Sequence, residues 1–324
     1  MATWLVRRLI QACFVVLAMT VIVFVGVHVI GNPVDILISP EADQAERARI
    51  IAEMGLDQPL WRQYVVFLNG ALHGDLGRSF VFNEPALRLI AQRMPATLEL
   101  AVTAVLMSIL VGVPLGLYAG MRPDGFLGRT IMAGSILGFS LPTFWVGLML
   151  IMVFAVQLGW LPSTGRGETA MLLGIRWSFL TWDGLRHMFM PALNLSLFNI
   201  SLVLRLTRAG VREILPLDYI KFARAKGLSP SRIVLVHVLK NIMIPVVTVV
   251  GLELGSTIAF AVVTESVFAW PGMGKLIIDS INVLDRPVIV SYLMMIVLLF
   301  IVINLLVDIL YTLLDPRIRL ETKG

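Results

Sequence analysis

Four sets of residues in this 324-residue chain are of types that could do chemistry. The run Gly272-Met273-Gly274-Lys275-Leu276 ends like a phosphate-binding loop. That motif needs an earlier glycine, where Ala269 stands, and a final Ser or Thr to reach Mg²⁺, where Leu276 stands. Nucleotide binding of this kind is excluded. The histidines His28, His73, His187 and His237 are scattered over different segments, and neither an H-E-x-x-H nor a G-x-S-x-G pattern occurs, which argues against a metal centre and a Ser–His pair. A single cysteine, Cys13, permits neither an internal disulfide nor a cysteine-based metal site. Acids inside apolar stretches remain. Glu253 has no charged mate nearby in sequence, and an acid at mid-span costs at least about 2.5 kcal/mol, so it should face water or a partner. Either a pathway-facing carboxylate or an interhelical hydrogen bond would satisfy it. Asp308 follows Asn304 by one helical turn and could pair with Arg7 or Arg8.

The elements that must position these residues are membrane helices. The chain is 58% apolar and 15% charged, with a mean hydropathy of +0.88, whereas soluble domains carry roughly 25% charged residues. Its apolar blocks are continuous rather than alternating, which excludes a β-barrel, and each is near the roughly 20 residues that cross the hydrocarbon layer as a helix. Six such spans are predicted, at 9–30, 97–121, 131–158, 191–206, 244–267 and 288–313. The first resembles a signal peptide in following Arg7 and Arg8, but it is too long and lacks a small-residue cleavage site, so it is read as a retained helix.

An even number of spans puts both termini on one side. The tails, the 121–130 turn and the 205–243 loop hold 15 Lys and Arg in about 70 residues, against 11 in about 120 for the opposite segments, which makes both termini cytoplasmic. Topology thus accounts for the net charge of +5 without nucleic acid. Three parts are expected: 1–30 as tail and first helix, 31–96 as a small extracytoplasmic insert, and 97–324 as a five-helix core. The insert has a helix-like run at 42–54 and a turn cluster at Gly70, Gly74 and Gly77 around His73 and Asp75.

The most informative segment is the basic loop at 211–244. Pro216 breaks the preceding helix, Asp218 is a good N-cap for a helix over 219–226, and Gly227 supplies the left-handed residue that stops it. Ser229 and Pro230 restart a helix as N-cap and first residue. Two turns are too few to be stable alone, so tertiary contact must hold the short helix. Spacing places Tyr219, Phe222, Ala223 and Lys226 on one face amid Lys221 and Arg224, a face suited to a groove in a cytoplasmic partner.

Asp218-Tyr219-Ile220-Lys221-Phe222-Ala223-Arg224-Ala225-Lys226-Gly227-Leu228, followed by His237-Val238-Leu239-Lys240-Asn241 and Ile244-Pro245, resembles the ATPase-contacting loop of permease subunits of type I ABC importers, in the dipeptide/oligopeptide branch. Lys221 at the usual Glu position is typical of that branch. Further resemblance lies in Leu56-Asp57-Gln58-Pro59, His73-Gly74-Asp75-Leu76-Gly77, Thr97-Leu98-Glu99-Leu100, Thr264-Glu265-Ser266-Val267-Phe268-Ala269-Trp270-Pro271-Gly272, Asn304-Leu305-Leu306-Val307-Asp308 and Asp315-Pro316-Arg317-Ile318-Arg319. The resemblance implies an all-α polytopic fold of six transmembrane helices in the bacterial inner membrane, with a coupling helix between the fourth and fifth. It also implies a homologous second permease, two cytoplasmic ATPases that hold ATP and Mg, an extracytoplasmic solute-binding protein and a peptide cargo. The chain itself would bind no cofactor and catalyse no bond chemistry. Its coupling residues would be Tyr219, Lys221, Phe222, Ala223, Arg224, Ala225, Lys226 and Gly227. Glutathione and nickel complexes are cargoes of close relatives of that branch, and a proton-coupled secondary transporter using Glu253 and Asp308 is the rival class.

Inside the membrane, Gly112, Gly116 and Gly120 repeat on one face, as do Gly134 with Gly138 and Gly251 with Gly255, which suits close helix packing. Pro142 must kink the third span, and a gating role is open to it. Candidate pathway residues are Ser140, Pro142, Phe144, Asn199 and Glu253, although Asn194 and Asn199 also suit interhelical hydrogen bonds.

Overall fold

With no water in a bilayer to satisfy backbone amides, a helix is the open-chain arrangement that satisfies them internally. The computed structural model describes residues 2–30, 43–53 and 57–314, and its described residues are helical apart from loops and one short hairpin. The helices are α1 Ala2–Ile30, α2 Gln44–Glu53, α3 Leu60–Leu72, α4 Ala86–Met121, α5 Phe126–Ser140, α6 Thr143–Gln157, α7 Trp182–Ile214, α8 Asp218–Ala225, α9 Pro230–Val267, α10 Met273–Asn282 and α11 Arg286–Leu314. Strands β1 Ala170–Leu172 and β2 Ile175–Trp177 pair antiparallel. Leu173 (φ 54°) and Gly174 (φ 78°) form their two-residue turn, which needs positive φ at both positions. The Asp315–Arg319 motif and Leu56 lie outside the described residues.

Among the described residues α4, α7, α9 and α11 are single helices long and apolar enough to cross a bilayer. The shorter apolar stretch Ile10–Gly26 lies in α1. The third expected span is not one kinked helix. It is the pair α5 and α6, meeting at 108°. Proline disfavours helical backbone at the preceding residue, and here Leu141 (ψ 137°) and Pro142 (ψ 131°) are both extended, so the chain turns a corner there. The other helices outrun their apolar cores. α7 starts nine residues before the expected 191 because the Thr181 hydroxyl accepts from Gly184 N–H at 3.0 Å and caps it.

The chain divides into two compact units, one of 1–97 with 271–302 and the other of 98–270 with 303–324. In the first, α1 packs on α3: Thr20 and Tyr64 share a hydroxyl–hydroxyl bond of 2.9 Å, and the Phe24 ring lies 5.3 Å from Tyr64 and 6.0 Å from Phe67. Val23, Val290 and Met294 form one buried apolar cluster there. The expected glycine turn is present, with Gly74 at φ 75°, Gly77 at φ 89°, and Gly77 N–H donating to the Asp75 carboxylate at 2.9 Å. Asp285, fully buried, accepts from the Ser79 hydroxyl and from Phe80 N–H and so ties the 79–85 loop to the start of α11.

The second unit is built on close approach of α4 and α7. A Cβ at Gly116 would sit 2.6 Å from both the Leu204 carbonyl oxygen and Thr207 Cβ, and Gly112 and Gly120 are similarly crowded by Val203 and Val211. Only glycine permits this contact. Gly138 faces Ser201 across α5 and α7, while Gly134 has no neighbour within 4 Å, so the α5 pair does not repeat the α4 pattern. α7 and α9 run antiparallel and are clasped by Asn194 Nδ2 donating to Thr264 Oγ1 (3.0 Å) and Asn199 Nδ2 to Thr257 Oγ1 (2.9 Å). Each such bond inside a membrane contributes about 0.6 kcal/mol.

Candidate functional site

Helix α8 owes its existence to burial. Ile220 (0% exposed) and Ala223 (6%) enter a cluster with Val211, Ile233, Val238 and Ile242, which supplies the tertiary support that two turns lack. Its start differs from expectation: Leu217 is the N-cap and Asp218 the first helical residue, its carboxylate paired with Lys221 at 2.9 Å instead of capping. The helix therefore runs one residue earlier than 219–226. Its end is as the sequence indicated. Gly227 is left-handed at φ 76°, its N–H donates to Arg224 O (2.9 Å), and Leu228 N–H donates to Ala223 O (3.3 Å), the two bonds of a Schellman stop. Ser229 then accepts from Arg232 N–H and Pro230 opens α9.

This geometry divides the residues expected on one outward face. Ala223 belongs to the inward side with Ile220 and is not offered to a partner. Tyr219 is 43% exposed and anchored to α9, its hydroxyl accepting from Asn241 Nδ2 at 3.2 Å. Phe222 is 61% exposed, with Lys226 Nζ 4.6 Å over its ring, and Lys221, Arg224, Ala225 and Gly227 are exposed around it. The outer surface of α8 is thus one aromatic ring framed by three bases. Exposed phenylalanine and tyrosine on a helix that is otherwise packed down are suited to a protein surface with an apolar pocket and acidic rim.

Of the expected pathway residues, Ser140, Pro142 and Phe144 come together at the α5–α6 corner and are exposed. Asn199 and Glu253 lie elsewhere in the same unit and are linked through Thr257, whose hydroxyl accepts from Asn199 and donates to the Glu253 carbonyl at 2.7 Å. Asn199 is 5% exposed, whereas Glu253 is half-buried. Among the described residues no group of three metal-binding side chains occurs.

Two features escaped sequence reasoning. Glu99, side chain fully buried, accepts from Ser178 N–H (2.6 Å), Phe179 N–H (2.8 Å) and Arg166 Nη2 (2.6 Å). Arg166 also donates to Ser178 Oγ and Arg176 O, and its guanidinium lies 5.8 Å from the Trp270 ring centre, so this pair pins the β1–β2 hairpin to α4. Glu99 sits inside a quoted motif, and its position two residues into an apolar span was the available signal. Arg205 is the second. It falls within α7, where its Nε donates to Ser201 O at 3.2 Å and its guanidinium lies 4.8 Å from the Phe139 ring centre.

Long apolar helices, a span broken at 108° and one basic, aromatic helix packed against two of the longest members make this a polytopic membrane protein. Residues 112–320 match the family described as "Binding-protein-dependent transport system inner membrane component", and residues 1–101 match the N-terminal region described for such membrane components. The chain belongs to this family of ABC-importer permeases. It is 37% identical to the dipeptide transport system permease protein DppB of Escherichia coli K12, covering 98% of this chain and 99% of that one. It is 37% identical to the glutathione transport system permease protein GsiC of E. coli O6:H1 (98% and 99%) and 36% identical to the oligopeptide transport system permease protein AppB of Bacillus subtilis (98% and 100%). A chain of the MetNI methionine ABC transporter, in an inward-facing form, has the same fold at a TM-score of 0.54 and 17% identity, covering 72% of this chain and 99% of that one.

Proposed function

We propose that the chain is the peptide-conducting permease subunit of an ATP-driven importer and that α8 is the element through which partner ATPases drive it. The observation that carries the coupling assignment is the two-sidedness of α8: Ile220 and Ala223 lock it to α9, while Phe222, Lys221, Arg224 and Lys226 face outward. A partner that grips the outer side moves α9 as well, because Tyr219 and the Schellman stop leave no slack between them. ATP and Mg belong to those ATPases. This chain's own contribution is to receive the stroke and to open and close a path past the α5–α6 corner. A second, homologous permease completes the pathway, and an extracytoplasmic binding protein delivers cargo.

The relatives named above carry dipeptides, oligopeptides and glutathione, all solutes with peptide bonds, which supports peptide as the cargo class here. The charge distribution supports α8 and both termini on the cytoplasmic side of the inner membrane. The test is to extract the tagged chain from its native membrane and identify its companions. Recovery with a second permease and a P-loop ATPase is expected, together with peptide uptake in ATP-loaded vesicles. Recovery alone, with uptake driven by a proton gradient, would overturn the reading.

A further inference from the structure

We infer that Arg205 and Glu253 form a two-point subsite for zwitterionic cargo, Arg205 receiving a peptide's terminal carboxylate and Glu253 its terminal ammonium. The inference rests on the peptide-import reading and adds the groups that recognise the charges. Charged side chains within a span are costly and normally face water, a partner charge or a ligand. Among the described residues neither of these has an ionic partner. The Arg205 guanidinium donates to the Ser201 carbonyl and lies over the Phe139 ring, and among the described residues the half-buried Glu253 carboxylate accepts no hydrogen bond. Glu253 is inside the bundle: twelve uncharged residues of α9 lie between Lys240 and Glu253, about 20 Å of helix.

Arg205 and Glu253 also share a level. The Asn194–Thr264 and Asn199–Thr257 bonds fix the antiparallel register of α7 and α9. Arg205 lies six residues beyond Asn199 and Glu253 four before Thr257, so the two stand within about 3 Å of each other along the bundle. Arg205 is turned toward α5, against Phe139, and so does not close on the acid. Opposite charges held at one level but apart from each other suit a ligand that carries both. The Phe139 and Phe198 rings, stacked at 5.1 Å beside Arg205 and each nearly half exposed, offer an apolar wall that accepts varied side chains. The same wall leads to Ser140 and Pro142 at the α5–α6 corner.

The test uses the complete transporter, with its ATPases, second permease and binding protein, in ATP-loaded proteoliposomes. Uptake of dialanine and trialanine is compared with their N-acetylated and C-amidated forms. Because the binding protein is common to all variants, its own selectivity cancels when each variant's preference is divided by that of the wild type. Arg205→Gln should lower the preference for free acid over amide by roughly tenfold, the loss of one charge-assisted hydrogen bond, and leave the preference for free amine intact. Glu253→Gln should do the reverse, and Arg205→Lys should restore most of the acid preference. Variants that slow all forms equally, or that leave both ratios unchanged, overturn the subsite while wild-type uptake of free peptide upholds the import reading. Wild type importing neither peptide overturns both. Failure of the Arg205→Gln complex to assemble, with rescue by lysine, would place Arg205 at a subunit contact and also overturn it.

Discussion

Replacing Gly227 by valine should loosen α8 without displacing any neighbour. A Cβ at this position meets nothing within 4 Å, so the substitution acts through backbone conformation alone. Gly227 is at φ 76°, where a β-carbon costs roughly 1–2 kcal/mol, and a β-branched one stands at the upper end of that range. Two hydrogen bonds depend on the left-handed turn, Gly227 N–H to Arg224 O and Leu228 N–H to Ala223 O. Opening of the α8 C-terminus should therefore become about 5- to 30-fold more frequent. Hydrogen exchange in the assembled transporter reads this directly at the Lys226, Gly227 and Leu228 amides. Uptake per ATP hydrolysed should fall in parallel, because a frayed helix transmits less of the ATPase stroke. Gly227→Asn should behave nearly as wild type, since asparagine tolerates the left-handed region. Valine exchange rates and coupling equal to those of wild type would refute the argument that the cap holds α8 rigid.

Five further substitutions separate packing from contact. Ile220→Ala, at a fully buried position, should destabilise the loop by about 2–5 kcal/mol, whereas Phe222→Ala, mostly exposed, should leave thermal unfolding nearly unchanged yet weaken ATPase association, as measured by co-purification. Gly116→Ala forces α4 and α7 apart and should cost about 1–3 kcal/mol in detergent unfolding, while Gly134→Ala, with no neighbour within 4 Å, should be silent. Glu99→Gln leaves Arg166 without its buried counter-charge and should cost about 3–5 kcal/mol, appearing first as proteolysis of the 159–181 segment.

What could be read from the sequence was whatever local physics decides. Gly227, Ser229 and Pro230 act within a few residues of themselves, and their roles are visible in the structure as expected. The α4 glycines were legible as a packing stripe because period and residue size alone define one. Pro142 marked the right place but not the size of the bend, since one proline makes a kink and only the extended backbone of Leu141 beside it makes a corner. Ala223 was assigned to the outer face because spacing groups it with Phe222, while its side of the helix is fixed by Val211 and Ile242, contributed by two other helices. Arg205 went unnoticed for a related reason. It reads as one base among several at the end of an apolar run, and its depth appears only when the Asn–Thr bonds set α7 against α9. The hairpin at 170–177 gave little signal, its turn being Leu173-Gly174 instead of an asparagine–glycine pair.

The central claim is that the outer face of α8 is where an ATPase grips this chain. A photo-cross-linking amino acid placed at Phe222, in native membranes, tests it most directly. The predicted product joins this chain to a P-loop ATPase, identified by mass spectrometry, with a yield that changes when ATP is added. Cross-links only to lipid, to the second permease or to an extracytoplasmic protein would contradict it.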